Sequence, residues 1–325
     1  MAGSARGLSL VTDEGFPDIP HPLRLGFGAS GAWGQPWFPE TQAIALIEQA
    51  YASGVRYFDS AGFYANGEAE RRLGIALRGI DDVIISTKTG TQVQGRGLYR
   101  RLAKDFSADT IRRDLEESLA RLARPRVDIL FLHGPDDWVV DHTRPVFDAL
   151  KAEGLIAKAG ICGVSEAVTA AVAGRKTDAI MARLNLFDRR LAPVFTDAKD
   201  AGMTTIAIAP LGQALYAKGF LSPRTRAGWW ALARAVVRNP RQLIRQRGAG
   251  VQMINRVEGF TAAQLMLGYV LSQPAIDYAL TSTTKAAHLT ETLQGARANG
   301  LDESLLESLL TMAIEVENTP NAAGS

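Results

Sequence analysis

The sequence is poor in the residues that build metal sites and crosslinks. Its 325 residues include one cysteine, Cys162, and four histidines. A lone cysteine excludes an intrachain disulfide and any metal site assembled from several thiolates. No apolar run approaches the roughly 20 residues that a membrane-crossing helix needs. The opening stretch MAGSARGLSLVTDEG has no apolar signal-peptide core. These absences lead to the expectation of a soluble cytoplasmic protein. An excess of one charge is also missing, since 36 Lys+Arg stand against 34 Asp+Glu for a net of +2. With 46% hydrophobic and 22% charged residues, neither a disordered nor a collagen-like chain is tenable. The length would allow two domains, but no Pro- or Gly-rich linker divides it, so one domain over 1–325 is expected.

What the sequence does have is alternation. Short apolar runs predict strands at Leu23–Gly28, Val55–Asp59, Val83–Thr87, Asp128–His133, Lys158–Val164, Ala179–Leu184, Thr204–Ala209 and Ile276–Thr281. Helical spacings lie between them, such as Ile44, Ile47 and Tyr51, or Ile111, Leu115, Leu119 and Leu122. Ser107 offers the second of these helices an N-cap, and Pro125 bars its continuation. Runs such as VDILFLH are apolar at every strand position, as in a parallel sheet covered on both faces. Eight such units predict the α/β class and a single (β/α)8 TIM barrel. An extra amphipathic helix is expected over Leu301–Glu315, with loosely ordered ends at 1–20 and 316–325.

Gly26, Gly28 and Gly31 spell G-x-G-x-x-G after the first strand, the pattern of a dinucleotide-binding turn. That motif needs a helix to open at the glycines. Pro36 and Pro39 delay any helix until about Glu40, so these glycines read instead as a strand end where backbone approaches a neighbour closely.

In a (β/α)8 barrel the chemistry sits at the C-terminal strand ends. The second strand ends in Asp59, with Tyr64 in the loop beyond it; the third ends near Lys88 and the fourth in His133. Singly, each has an ordinary explanation as a helix cap, a solvated charge or a hydrogen-bonded side chain. Together they form a set for carbonyl reduction. The alkoxide left by hydride addition needs a proton, which a tyrosine can donate although its free pKa is near 10. A neighbouring ammonium favours the phenolate, a carboxylate can hold that ammonium in place, and an imidazole can polarise the carbonyl oxygen.

These segments resemble the aldo-keto reductase family. RYFDSAGFYANGEAERRLG carries Asp59 and Tyr64, STKTG carries Lys88, and LHGPD carries His133; GVS, LNLFD around Asn185 and PLG continue the match in order. The similarity spans roughly residues 23–300 and leans toward a bacterial branch with galactose, fucose and pyridoxal dehydrogenases. The resemblance implies NADP(H), or NAD(H), lying across the C-terminal rim without metal, and a small carbonyl or alcohol substrate. It assigns cofactor contacts to Ser165, Asn185, Pro210, Leu211, Gly212, Ser282, Thr283, Thr284, Lys285 and His288. Trp33, Phe63 and Trp138 fall in rim loops as candidate substrate-pocket walls, with Tyr216 a further aromatic there. The departures are in the nicotinamide cradle. Glu166 replaces an amide, Met181 a glutamine, Ile208 an aromatic and Ala209 a serine, while His288 replaces an arginine and Thr292 an asparagine. An NADP(H)-dependent oxidoreductase is therefore the leading expectation. The alternatives are a cofactor-independent lyase or isomerase using Tyr64 and His133, and a non-catalytic NADP(H)-binding regulatory subunit.

One segment disturbs the even charge. After the seventh strand, residues 216–250 hold Lys218 and seven arginines without an acid, so the rest of the chain carries −6. The stretch reads either as a basic flap drawing in a dinucleotide or as a solvated helical insertion. Trp229, Trp230, Leu232 and Val236 would give it an apolar face against the barrel. No nucleic-acid-binding motif accompanies the arginines, and neither nucleic acid nor membrane is an expected partner.

Overall fold

The computed structural model describes residues 23–30, 32–95, 101–163, 166–212, 257–298 and 300–318, with positions 224, 228–229, 232–233, 236–237 and 254–255. Eight parallel strands close into a barrel: β1 (Leu25–Gly28), β2 (Tyr57–Asp59), β3 (Ile84–Thr89), β6 (Val127–His133), β7 (Ile156–Gly163), β8 (Ala179–Arg183), β9 (Thr204–Ile208) and β10 (Tyr278–Thr281). Each lies within two residues of its expected bounds. The remaining pair, β4 (Thr91–Gln94) and β5 (Arg101–Lys104), makes an antiparallel hairpin that the sequence patterning did not reveal. Around the barrel run α1 (Glu40–Ala52), α2 (Glu68–Ala76), α3 (Ala108–Leu122), α4 (Asp137–Ala152), α5 (Glu166–Ala173) and α6 (Ala192–Asp200). The C-terminal part adds α7 (Ala262–Leu271), α8 (Ala286–Arg297) and α9 (Glu303–Asn318). α9 extends to Asn318, three residues past the expected Glu315, and meets the core through Leu309 and Ala313.

Strand parity divides the interior into two layers. Phe27, Phe58, Ile85, Leu130, Leu132, Ile161, Ile180 and Ala207 face outward into the core shared with the helices. Tyr57, Ile84, Ile129, Phe131, Cys162, Met181, Ile206 and Leu280 fill the barrel itself. Gly26 belongs to this inner set, where a Cβ would lie 2.4 Å from the Tyr57 ring. The glycines of β1 thus make room for barrel packing, as the close-approach reading requires, and α1 opens at Glu40 behind Pro39; Gly31 lies outside the described residues.

The helix motif E-A-E-R-R-L-G has a structural task. Glu70 is fully buried yet accepts hydrogen bonds from Thr87 Oγ1 at 2.5 Å and Arg121 Nε at 2.8 Å. Arg72 pairs with Glu68 at 2.9 Å and donates to the carbonyls of Trp33 and Phe38. These bonds tie α2 to β3, α3 and the loop after β1, and so fix the loop carrying Tyr64. Ser107 caps α3 as expected, accepting from the Thr110 amide. Most of the basic segment 216–250, including Tyr216 and Trp230, lies outside the described residues. Trp229 and Val236, expected to pack on the barrel, are exposed.

Candidate active site

Parity places the polar strand ends at one mouth. On β2 the inward sequence Tyr57, Asp59 ends at the C-terminal rim; on β3 it is Ile84, Ser86, Lys88, and on β6 Ile129, Phe131, His133. Asp59 and Lys88 are both buried, and Lys88 Nζ donates to Asp59 Oδ2 at 2.5 Å and to the Ser60 carbonyl at 2.7 Å. Ser86 Oγ donates to Asp59 Oδ1 at 2.7 Å, and the Tyr57 hydroxyl meets Ser86 Oγ at 2.8 Å. Both carboxylate oxygens are therefore held from β3, with Tyr57 of β2 supporting Ser86.

Burial pushes the Asp59 carboxyl up, against the pull of Lys88 and Ser86. Burial also works against the Lys88 ammonium, but Asp59 and then Tyr64 outweigh it and hold lysine above its ordinary value. The donors around Asp59, the Lys88 ammonium and the Ser86 hydroxyl, both favour the ionised carboxylate. Cys162, inward on the neighbouring β7, is pushed up to about 11 by burial, which keeps it a thiol and not a nucleophile.

The half-buried loop after β2 hangs two aromatics over this pair. Lys88 Nζ lies 5.5 Å from the Tyr64 ring centroid. The Phe63 ring is 4.6 Å from that of Tyr64 and 5.0 Å from that of His133. Asp59, Tyr64, Lys88 and His133 thus converge, with Phe63 between the tyrosine and the imidazole. Phe63 stands where a pocket wall was expected. Trp138, at the start of α4, is 64% exposed and stacks edge-on with His142 at 5.8 Å.

Trp33 does not join them. It is 0% exposed and packs edge-on against Phe27 and Phe38 at 5.0 and 5.4 Å. The loop after β1 turns toward the helices, where so large an apolar ring gains more from burial than at a wet rim.

The expected cofactor contacts divide in the same way. Asn185 is fully buried; its Nδ2 donates to the Ala209 carbonyl at 3.2 Å and its Oδ1 accepts from the Phe187 amide at 3.0 Å. These bonds shape a turn. That turn holds Ala209 at φ +54° and Gly212 at φ +52°, with the Gly212 amide donating to the Ala209 carbonyl at 3.0 Å. Pro210 and Leu211 sit within it. A left-handed alanine costs about 1–2 kcal/mol, a strain often kept at ligand clamps. Ile208 and Met181 face the barrel interior beneath this turn.

At the end of β10, Ser282 Oγ meets Ser30 Oγ at 3.0 Å and Thr283 Oγ1 accepts from the Lys285 amide at 3.1 Å. Thr283, Thr284 and Lys285 lead into α8, whose first turn carries His288. Burial and then Lys285 hold His288 below its ordinary value. Thr292 turns back on its helix, donating to the His288 carbonyl at 3.0 Å. Ser165 lies outside the described residues.

Sequence patterning missed Ser86, which bonds Asp59, Tyr57, which bonds Ser86, and Arg183, inward at the end of β8. It also missed Lys104, which donates to the His133 carbonyl. Inward strand parity was the signal available for the first three. Among the described residues no group of three or more His, Cys, Asp or Glu could hold a metal, and no helix is long and apolar enough to cross a membrane.

A family model described as the aldo/keto reductase family matches residues 24–309. L-galactose dehydrogenase of Arabidopsis thaliana is 31% identical over 207 residues, covering 59% of this chain and 62% of that protein. The holo form of aldo-keto reductase AKR11C1 from Bacillus halodurans superposes with a TM-score of 0.73 at 21% identity, covering 89% of this chain and 91% of that one. An aldo-keto reductase from Klebsiella pneumoniae, solved with NADPH, gives a TM-score of 0.67 at 22% identity, covering 89% and 90%.

Proposed function

The chain belongs to the aldo/keto reductase family of NAD(P)-dependent oxidoreductases, and we propose that it interconverts a carbonyl and an alcohol with NADP(H), using Tyr64 for the proton. The observation that carries this reading is the buried Asp59–Lys88 pair beneath Tyr64, with His133 across Phe63. NADP(H), when bound, supplies or accepts the hydride. The His133 imidazole orients the substrate oxygen, the Tyr64 hydroxyl gives its proton to that oxygen, and the Lys88 ammonium stabilises the phenolate left behind. Asp59 keeps Lys88 charged and aimed. Phe63 keeps water from the face of the phenol.

The residues at the rim fit the cofactor. The first-turn amides of α8, with Thr283, Thr284 and the exposed Lys285 before them, form a donor set suited to a phosphate. The strained turn over Pro210, Leu211 and Gly212 offers backbone to the diphosphate, and Ile208 offers an apolar side to the nicotinamide in place of an aromatic. Family membership does not favour a cofactor-independent lyase or isomerase, and the complete proton-transfer set speaks against a purely regulatory subunit.

Tryptophan fluorescence during titration with NADPH and NADH tests this reading. Both should quench, NADPH more tightly, and succinic semialdehyde or benzaldehyde should then drive oxidation of NADPH. With His288 held below its ordinary value by burial and Lys285, Lys285 carries the charge for the 2′-phosphate. Lys285→Met should weaken NADPH about tenfold, the size of one charge-assisted hydrogen bond, and NADH far less. Failure of either nicotinamide to bind would refute the assignment.

A further inference from the structure

The β4–β5 hairpin leaves the barrel directly after the strand carrying Lys88 and returns to α3. Its register pairs Thr91 with Lys104 and Val93 with Leu102, so these four share one face; Gln92, Ala103, Gln94 and Arg101 share the other. The second face is tied to α3, where Gln92 Nε2 donates to Asp114 Oδ1 at 3.2 Å. Asp114 also takes Thr89 Oγ1 at 2.8 Å and the Gly90 amide at 3.2 Å, which anchors the base of the hairpin.

The first face is thereby turned to the active-site mouth. Pairing between β3 and β6 stops at Thr89 and Leu132, which leaves the His133 carbonyl beyond the ladder. Thr91 Oγ1 donates to that carbonyl at 3.1 Å, and Lys104 Nζ donates both to it and to Thr91 Oγ1 at 2.7 Å. The hairpin thus stands against the residue proposed to orient the substrate oxygen.

Lys104, exposed at this rim, differs from the half-buried or buried cations near the site. Lys88 has Asp59, Arg72 has Glu68, and Arg121 has Glu70. Lys104 bonds neutral oxygens, and among the described residues it forms no ion pair. Two of its three N–H donors are accounted for. Partial burial pushes its ammonium below the ordinary lysine value, opposed in part by Cys162 and Asp136, and a bound anion would add to that opposing pull. Beyond Lys104 the same face presents half-buried Val93 and Leu102, which is 55% exposed. Trp138 is exposed in the first turn of α4, after His133. Exposed apolar side chains at the rim, with a cation that forms no ion pair among the described residues, offer a surface suited to an amphipathic acid.

We infer that the hairpin is the substrate-side wall of the active site, and that Lys104, with Val93, Leu102 and Trp138, selects substrates bearing a carboxylate on an apolar frame. This rests on the oxidoreductase reading for what happens to the carbonyl, but the anion subsite is tested by binding alone. The simpler alternative is that Lys104 only staples the His133 carbonyl.

The test is calorimetric titration with 4-ethylbenzoate and its neutral counterpart 4-ethylbenzamide. The native protein should bind the acid at least about tenfold more tightly, as one charge-assisted contact supplies, and the preference should shrink with added salt. Lys104→Met should abolish the preference and Lys104→Arg restore it. Thr91→Val, which removes a staple but keeps the charge, should retain it. Equal binding of acid and amide by the native protein overturns the inference, as does a preference that survives in Lys104→Met. A preference lost equally in Thr91→Val reduces Lys104 to a staple. Native protein that shows the preference yet oxidises no NADPH supports the subsite and counts against the oxidoreductase reading.

Discussion

Tyr64→Phe should lower kcat for carbonyl reduction by about a hundred- to ten-thousand-fold, the span attributed to a positioned general acid, with the NADPH dissociation constant nearly unchanged. The ring is what packs in this loop: it lies 4.6 Å from Phe63 and over the Lys88 ammonium at 5.5 Å. Phenylalanine keeps that ring and removes only the hydroxyl. Substrate binding should therefore survive while the proton that completes the alcohol is missing. Rapid mixing of the NADPH-loaded variant with an aldehyde, followed by nicotinamide absorbance, separates the two. A variant that turns over at the native rate would give the proton to another group, with His133 the first to examine.

Lys88→Met should be the more damaging change to the molecule as a whole. The Asp59 carboxylate is buried, and its ammonium partner at 2.5 Å would be gone. Breaking a buried ion pair from one side costs about 3–5 kcal/mol, because the remaining charge stays in a poor solvent. Activity should fall at least as far as in Tyr64→Phe, since the group that stabilises the phenolate is removed together with the tie on Asp59.

The pH dependence carries the signature. In the native protein Lys88 is held above its ordinary value, so its contribution to stability is fully present below about pH 10.5. It is lost only as pH rises through the higher folded-state value. In the variant, burial raises the Asp59 carboxyl without Lys88 to oppose it. A carboxyl raised on folding takes up a proton more readily in the folded state, so the variant recovers stability as pH falls. Urea denaturation should show the native-to-variant gap narrowing as pH falls from neutral toward the ordinary carboxylate value of about 4. Asp59→Asn combined with Lys88→Met should recover part of the loss, and a gap independent of pH would exclude an ionised Asp59.

The barrel and three of its four proposed catalytic residues were legible in the sequence for a common reason. Each strand is an unbroken apolar run with a polar residue at its C-terminal end, and in a closed barrel those ends meet. Asp59, Lys88 and His133 are read by that rule, and their inward direction follows from counting by two from Tyr57, Ile84 and Ile129. Tyr64 lies in a loop and was reached through the motif around it. What motifs and strand-end position could not supply was burial. Trp33 follows a strand end as a pocket residue would, but Phe27 and Phe38 claim its ring. Asn185 and Thr292 occupy cofactor positions by alignment, yet their side chains are engaged by nearby backbone.

The hairpin escaped notice because its strands are four residues each, TQVQ and RLAK. Both faces of so short a ribbon mix polar and apolar side chains, so no alternation rises above the background. Its meaning lies in one contact, Lys104 on the His133 carbonyl, which joins residues 29 apart in sequence. The basic segment 216–250 keeps its two readings, flap and solvated face, because most of it lies outside the described residues.

The central claim is that this mouth moves a hydride from NADPH to a carbonyl carbon while Tyr64 supplies the proton. NADPH deuterated at the transferring position of nicotinamide C4, incubated with the native protein and benzaldehyde or 4-carboxybenzaldehyde, tests it most directly. Mass spectrometry and NMR of the product should find one deuterium on the former carbonyl carbon for each NADPH consumed, and Tyr64→Phe should bind the same cofactor while forming little of that product. An alcohol formed without the label, or an aldehyde transformed with no cofactor consumed, would contradict the account.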